Sequence, residues 1–353
     1  MSTLQLGLSI AGGLVLAAVV AWNTWTSRRN APRQAEPEPA LADTEPTLDH
    51  PVTEPGEART EPAFDEVSPG LAVPLPAPER KPGLDPLIDV IAPIQIDAPV
   101  SGDAALAALP PTRRVGSKPF AIEGLNAQSQ HWEPPLAGQR YTAFQAGLQL
   151  ANRTGALNEI EFSEYVVKTQ AFADAVNGAP EFPEMLHEVS RGRELDQFAS
   201  GHDAQLGFML RARSAAWSPG YVHQHAARFG FVAGVIPGRM VLPAPAFGLP
   251  PILGLAFNTQ AAMAEDPAQS AIRELTLSLD VPQVDRAEQP FVRMREVAQA
   301  LAEAMDGVIT DDHGHALPRE AMDGIGAELE QLYDTLDARD LSAGSPQARR
   351  LFS

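Results

Sequence analysis

Residues 290–336 read PFVRMREVAQALAEAMDGVITDDHGHALPREAMDGIGAELEQLYDTL, and the order of elements they spell decides the fold. Pro290 opens a helix that turns Met294, Val297, Leu301 and Met305 to one side, and Gly307 stops it. Val308 and Ile309 fit a short strand. Pro318 then opens a closing helix with Met322, Ile325, Leu329, Leu332 and Leu336 on one stripe. Upstream, Leu206, Phe208 and Leu210 alternate as a strand. Ser218-Pro219 is an N-cap followed by proline at the first helical position; Val222, Ala226 and Phe229 form that helix's apolar stripe, and Gly230 is its stop. Residues 252–258 and 273–282 read as strands, the second with Leu275, Leu277, Leu279 and Val281 on one side and Thr276, Ser278 and Asp280 on the other. The sum is an α+β layer: a mostly antiparallel sheet with helices on one face, a split β-α-β arrangement, and the other face open.

The stretch before it carries a second set of elements. Ile88, Val90, Ile94 and Ile96 alternate as a strand, with Pro93 demanding an edge or a bulge. SGDAALAAL predicts a short helix from Ser101. Thr142, Phe144, Ala146, Leu148 and Leu150 alternate again and end at the turn-like Asn152-Arg153-Thr154-Gly155. Phe162, Tyr165, Val166, Thr169, Phe172 and Val176 recur at helical spacing, with Ser163 as N-cap, and another helix covers Pro183 to Phe198, interrupted by Gly192. The order partly echoes the later half, and Phe182–Gly201 loosely parallels Phe291–Gly307. Either a degenerate repeat or an unrelated subdomain accounts for this.

The N-terminal part is of a different kind. Leu4 to Trp25, LQLGLSIAGGLVLAAVVAWNTW, holds no charge, and a helix of about 20 such residues spans the hydrocarbon layer. Trp22 and Trp25 suit the headgroup belt. Arg28, Arg29 and Arg33 follow with nothing basic ahead, which places the N-terminus outside and the rest in the cytoplasm. A cleaved secretory signal carries its positive charge before the apolar run, not after it. Gly12 and Gly13 leave self-association of the span open. Residues 34–86 then hold 12 prolines and 12 acidic residues against three basic ones, a composition that buries too little apolar surface to order itself. Such a linker reaches between roughly 40 Å as a coil and 160 Å extended.

Charge and composition exclude several functions. The net charge of −19 repels phosphate backbones, so no nucleic-acid partner is expected. With no cysteine, disulfides, thiolate metal sites and cysteine nucleophiles are excluded. His223 and His225 fall about 200° apart on the predicted helix, and Asp311-Asp312-His313-Gly314-His315 reads as an exposed turn, so no metal site is assigned. No P-loop, G-x-S-x-G or H-E-x-x-H occurs, and Gly324-Ile325-Gly326 lies inside a helix without a third glycine. Neither enzyme activity nor a cofactor is expected.

The helix, glycine-bounded strand, acidic pair and proline-opened helix of Met294–Leu341 resemble the C-terminal domain of the ZipA family, division proteins that tether FtsZ to the bacterial inner membrane. Phe229-Gly230-Phe231 and Leu255-Ala256-Phe257-Asn258 add to the resemblance, which covers about 201–341. An outside N-terminus, one anchor, a proline-rich acidic linker and a cytoplasmic α+β domain are the family's layout. The division of the chain is then an anchor at 1–27, a linker at 28–86, an α+β subdomain at 87–200, a ZipA-like domain at 201–342 and a tail at 343–353. The resemblance implies that a C-terminal peptide of FtsZ binds across the open sheet face, and that the protein gathers at the septum. The outward positions are Gly207, Met209 and Arg211; Gly254, Ala256 and Asn258; Thr276, Ser278 and Asp280. Met209 and Ala256 suit an apolar strip, and Arg211 an acidic peptide residue. The family pattern expects larger hydrophobes where Asn258 and Ser278 stand, which predicts weaker binding or a different peptide. Two other readings remain: a membrane-anchored adaptor for a different cytoplasmic or division protein, and a secreted envelope binding protein.

Overall fold

The computed structural model describes residues 32–36 and 83–353. The segment Leu4–Trp25, Arg28, Arg29 and most of the linker lie outside the described residues. Among the described residues, no helix is long and apolar enough to cross a membrane.

The first unit runs β1 (Asp89–Ser101), α1 (Gly102–Ala108), β2 (Arg114–Val115), β3 (Lys118–Asn126), β4 (Trp132–Glu133), β5 (Arg140–Gln149), β6 (Ala151–Asn152), β7 (Gly155–Ala156), α2 (Glu159–Ala175), β8 (Gly178–Pro180) and α3 (Met185–His202). Its sheet has the order β2-β3-β5-β1-β8, with every adjacent pair antiparallel. Ile88, Val90, Ala92 and Ile94 point inward with Phe144, Ala146 and Leu148, all at most 1% exposed, beneath Phe162, Tyr165 and Phe172 of α2. Each such large apolar side chain contributes about 1.5–3 kcal/mol by leaving water. Pro93 is tolerated because the ladder with β8 covers only Ile94–Ile96, and beyond it the proline supplies only its carbonyl, which accepts from the Glu181 amide at 2.9 Å.

Two expectations change here. The N-cap of α2 is Asn158, in a reciprocal capping box with Glu161, and not Ser163, which lies inside the helix and donates its hydroxyl to the Glu159 carbonyl. Gly192 does not interrupt α3. It lets the helix approach the strand end, where an added Cβ would stand 2.9 Å from the Leu150 carbonyl oxygen. The strand β3 carries no clean alternation in the sequence, because Pro119 and Gly124 interrupt that of Phe120 and Ile122.

The second unit runs β9 (Gln205–Ala212), α4 (Pro219–Ala227), β10 (Val232–Ala233), β11 (Arg239–Leu242), β12 (Leu253–Ala256), α5 (Thr259–Ala262), β13 (Glu274–Asp280), α6 (Pro290–Met305), β14 (Gly307–Thr310) and α7 (Arg319–Asp337). Its sheet has the order β10-β11-β12-β13-β9-β14, antiparallel throughout. Ser218 caps α4 through the Tyr221 amide with Pro219 at the first position, and Pro290 opens α6, as their spacing requires. Phe208, Leu210, Leu255, Leu275, Leu277 and Leu279 face inward toward Met294, Ala298, Leu301 and Met305 of α6.

Polar contacts join the units. Arg153 pairs with Asp203 at 2.6 Å and Asp280 at 2.8 Å. The last residues, assigned above to a tail, form α8 (Pro346–Leu351), with Leu351 and Phe352 buried. From α8, Arg350 donates to the buried carboxylate of Asp89 at 2.9 Å, while Gln149 donates to the Arg350 carbonyl and Gln283 to that of Phe352. Residues 32–36, within the stretch assigned to the linker, lie against the second unit. The Arg33 amide donates to the Ala216 carbonyl, its carbonyl accepts from the Ser218 amide, and its guanidinium meets Asp306 at 2.8 Å.

Candidate functional site

The outer face of the second sheet is built by the leucine alternation itself: every inward leucine turns its neighbours outward. One row across it reads Val232, Val241, Gly254, Ser278, Gly207, and the next reads Arg239, Ala256, Thr276, Met209, Thr310. Met209, Ala256 and Thr276 are half-buried and Ser278 is exposed. The two glycines make the first row a trough. An added Cβ at Gly207 would touch little, its nearest neighbour being the Thr276 methyl at 3.8 Å. The Ser278 hydroxyl donates to the Gly254 carbonyl at 3.4 Å, which occupies its polarity within the sheet.

Of the five residues singled out from the sequence, the structure brings Met209, Arg211, Ala256 and Ser278 onto this face. Asn258 is elsewhere. The strand β12 stops at Ala256, and Asn258 caps α5 by accepting from the Gln260 amide at 2.8 Å. Arg211 is half-buried beside Glu274, its direct cross-strand neighbour, with Nε 3.5 Å from the carboxylate and no hydrogen bond to it. Its guanidinium lies under Gly314, in the turn after β14 that only a glycine-like φ of +87° allows. Arg211 is therefore partly engaged within the chain itself.

Val232 and Val241 were not singled out from the sequence, yet they extend the trough to the sheet edge. Val235, Ile236, Phe247 and Met263 are also exposed in the loops around that edge. The signal was present in Phe231–Leu242, where Val232 and Val241 flank the turn residues Pro237-Gly238. Asp311, Asp312 and His313 place one ligand-type atom each within 4.8 Å of one another, but the His315 amide already donates to Asp311 at 2.7 Å. His223 and His225 do not converge: His225 Nδ1 lies 2.9 Å from the Tyr221 carbonyl, whereas the His223 ring meets Phe257 edge-on, and burial pushes its pKa down.

No curated protein matches the chain. Among solved structures, that of berberine bridge enzyme from Eschscholzia californica, monoclinic crystal form, is similar at 9% identity and a TM-score of 0.15, too low to carry an argument. That likeness covers 73% of this chain and 54% of the other, so the match spans about half the length of that structure. The family match is of another kind, for it falls on the elements that support the open face: α5, β13, α6, β14 and the first half of α7. Residues 259–328 match the family described as ZipA, C-terminal FtsZ-binding domain, a protein-binding division domain and not an enzyme family, and there the resemblance read from the sequence holds.

Proposed function

We propose that this chain binds the C-terminal peptide of FtsZ across the outer face of its second sheet. On the same reading, the apolar segment Leu4–Trp25 anchors it in the inner membrane, N-terminus outside, so that it tethers FtsZ filaments at the division site. The observation that carries the reading is that the family match includes β13, whose outward Thr276 and Ser278 lie in a solvent-facing trough beside Met209, Gly254 and Ala256 of the neighbouring strands. Shallow apolar strips flanked by polar groups suit a short peptide that orders on binding. A single peptide binds such a face modestly, and filaments that display many copies multiply its hold on anchored receptors.

Titration of the intact chain with the FtsZ C-terminal peptide tests the proposal. Saturable binding is expected, and no saturation at high micromolar peptide would leave only an adaptor for another protein. Fractionation with the inner membrane and an intact N-terminus are expected of the anchor; recovery of a protein cut after the apolar segment would sink it.

A further inference from the structure

The two sheets share one connectivity. In chain order, β1-α1-β2-β3-β5-α2-β8-α3 corresponds to β9-α4-β11-β12-β13-α6-β14-α7, and the spatial orders β2-β3-β5-β1-β8 and β11-β12-β13-β9-β14 then coincide. This pairs α2 with α6 and α3 with α7, so Phe182–Gly201 corresponds to the closing helix and not, as its sequence pattern indicated, to Phe291–Gly307. One irregular feature fixes the register. After α2, Asn177 takes a left-handed φ of +51° before Gly178 opens β8; after α6, Asp306 takes +53° before Gly307 opens β14. Gly178 pairs with Ile96 and Gly307 with Ala212, which aligns Pro93 with Met209. The ladders carry the alignment on: Gln145 falls on Thr276, Gly147 on Ser278 and Glu123 on Ala256. Inward positions fall on inward positions throughout.

Against this shared frame one difference stands out on the outer faces. In the first unit the position between Glu123 and Gly147 is filled. Leu84 lies on Gly147 so closely that any Cβ there would collide with it. The Leu84 amide donates to one Glu123 oxygen at 3.1 Å, and Gln145 donates to the other at 2.9 Å. Arg350 holds the Gly83 carbonyl at 3.2 Å, and Asp85 donates its amide to Asp89 at 2.9 Å. Over Ala256 and Ser278 of the second unit, none of the described residues sits in this way.

We infer that the first unit is a second copy of the same fold whose docking face is closed by the chain's own Gly83–Asp85, with Leu84 as the occupant. The inference rests on the FtsZ-binding reading of the second unit and goes beyond it, because it assigns a second, self-occupied peptide site to residues outside the family match. A main-chain hydrogen bond beside a seated side chain is the combination by which extended peptides dock on sheets, and the Leu84 amide on Glu123 with the Leu84 side chain over Gly147 supplies both. Supplied in cis, the occupant competes at an effective concentration that a free peptide cannot reach.

Calorimetric titration of the intact chain in detergent micelles with the FtsZ C-terminal peptide tests this by counting sites. One site is expected in the unaltered chain and two in Leu84→Ser. Leu84 is half-buried at the rim of the unit, so the core is untouched. In Leu84→Ser combined with Met209→Glu, one site is expected to remain. One site in both the unaltered chain and Leu84→Ser, with the variant folded by circular dichroism, overturns the inference. So do two sites in the unaltered chain. Absence of binding in either form overturns the FtsZ reading, and the inference falls with it. If Leu84→Ser does not fold, Glu123→Ala, which removes the acceptor of the Leu84 amide, carries the same expected count.

Discussion

On the outer face of the first sheet, Gln145 hydrogen-bonds to Glu123, and Glu123 holds the Leu84 amide; at the matching places in the second sheet stand Thr276 and Ala256, whose side chains hold none of the described residues. Beneath them the inward residues are of one kind in both units: Phe144, Ala146 and Leu148 in the first, Leu275, Leu277 and Leu279 in the second, each at most 2% exposed. The contrast teaches which half of a strand's alternation constrains what. Inward residues must fill the space under a helix, so they vary only in shape. Outward residues are released from that demand and diverge into a closed, polar face and an open trough.

The largest expected effect comes from unfastening the closed face. Asp89 has no exposed side-chain surface, and burial raises its pKa although Arg350 works against that rise. Arg350→Ala leaves this carboxylate without its partner, and the expected cost in urea denaturation is about 3 kcal/mol. The Arg211–Glu274 pair on the open face is half-exposed, so Arg211→Ala is expected to cost about 1 kcal/mol or less. The pH dependence follows from the sign of the shift. A carboxyl whose folded pKa lies above its unfolded one binds more protons when folded, so its contribution falls as pH rises through that interval. Loss of Arg350 removes the lowering influence, and the fall is expected to be steeper in the variant. Equal losses in Arg350→Ala and Arg211→Ala would erase the distinction between the two faces.

Binding separates the faces next. Met209→Glu puts a charge in the centre of the trough, and the expected loss of FtsZ-peptide affinity is about thirtyfold, on the order of 2 kcal/mol for a central contact. Pro93→Glu changes the matching position of the closed face, and the peptide affinity is expected to stay as it was. Anisotropy titration of both variants, with melting curves to show that each remains folded, makes the comparison. Loss in Pro93→Glu would mean that the peptide uses the first unit, and unchanged affinity in Met209→Glu would move the site off this face.

Much of this frame is legible in the sequence, for a physical reason. The leucines of β13 at every second position and the stripes of α6 and α7 are demands of burial, and burial recurs with the period of the element. Caps are legible where the whole motif is local, as at Ser218-Pro219, and are misread where a competitor lies nearby, as Ser163 did for Asn158. The repeat was half-legible. Its strands follow one order, but the features that fix the register, the left-handed Asn177 and Asp306, have no sequence period and differ in residue type. The site was legible only as an alternation. That Asn258 leaves the sheet to cap a helix, or that Leu84 crosses to Gly147, depends on where the chain goes between elements, and no periodic signal records that.

The smallest effect tests the comparison at its register point. The left-handed residue after the helix is neutral Asn177 in the first unit and charged Asp306 in the second. Asp306 accepts from the Ser214 hydroxyl at 2.7 Å and meets Arg33 at 2.8 Å, and these contacts, the hydroxyl foremost, hold its pKa below the ordinary carboxylate value. A lowered pKa stabilises the contact above the ordinary carboxylate value and ceases to do so as pH falls through the folded one. Asp306→Asn makes the second unit match the first. Asparagine keeps the left-handed conformation at little cost, so the fold is expected to persist while the guanidinium of Arg33 loses its charged partner. Trypsin cleavage after Arg33 is then expected to quicken at neutral pH in Asp306→Asn. The difference in melting temperature between the two forms is expected to vanish as the medium is acidified. Cleavage at an unchanged rate would show that the backbone pairing of Arg33 with Ala216 and Ser218 holds residues 32–36 without the charge, and the two register points would then be equivalent in strength as well as in place.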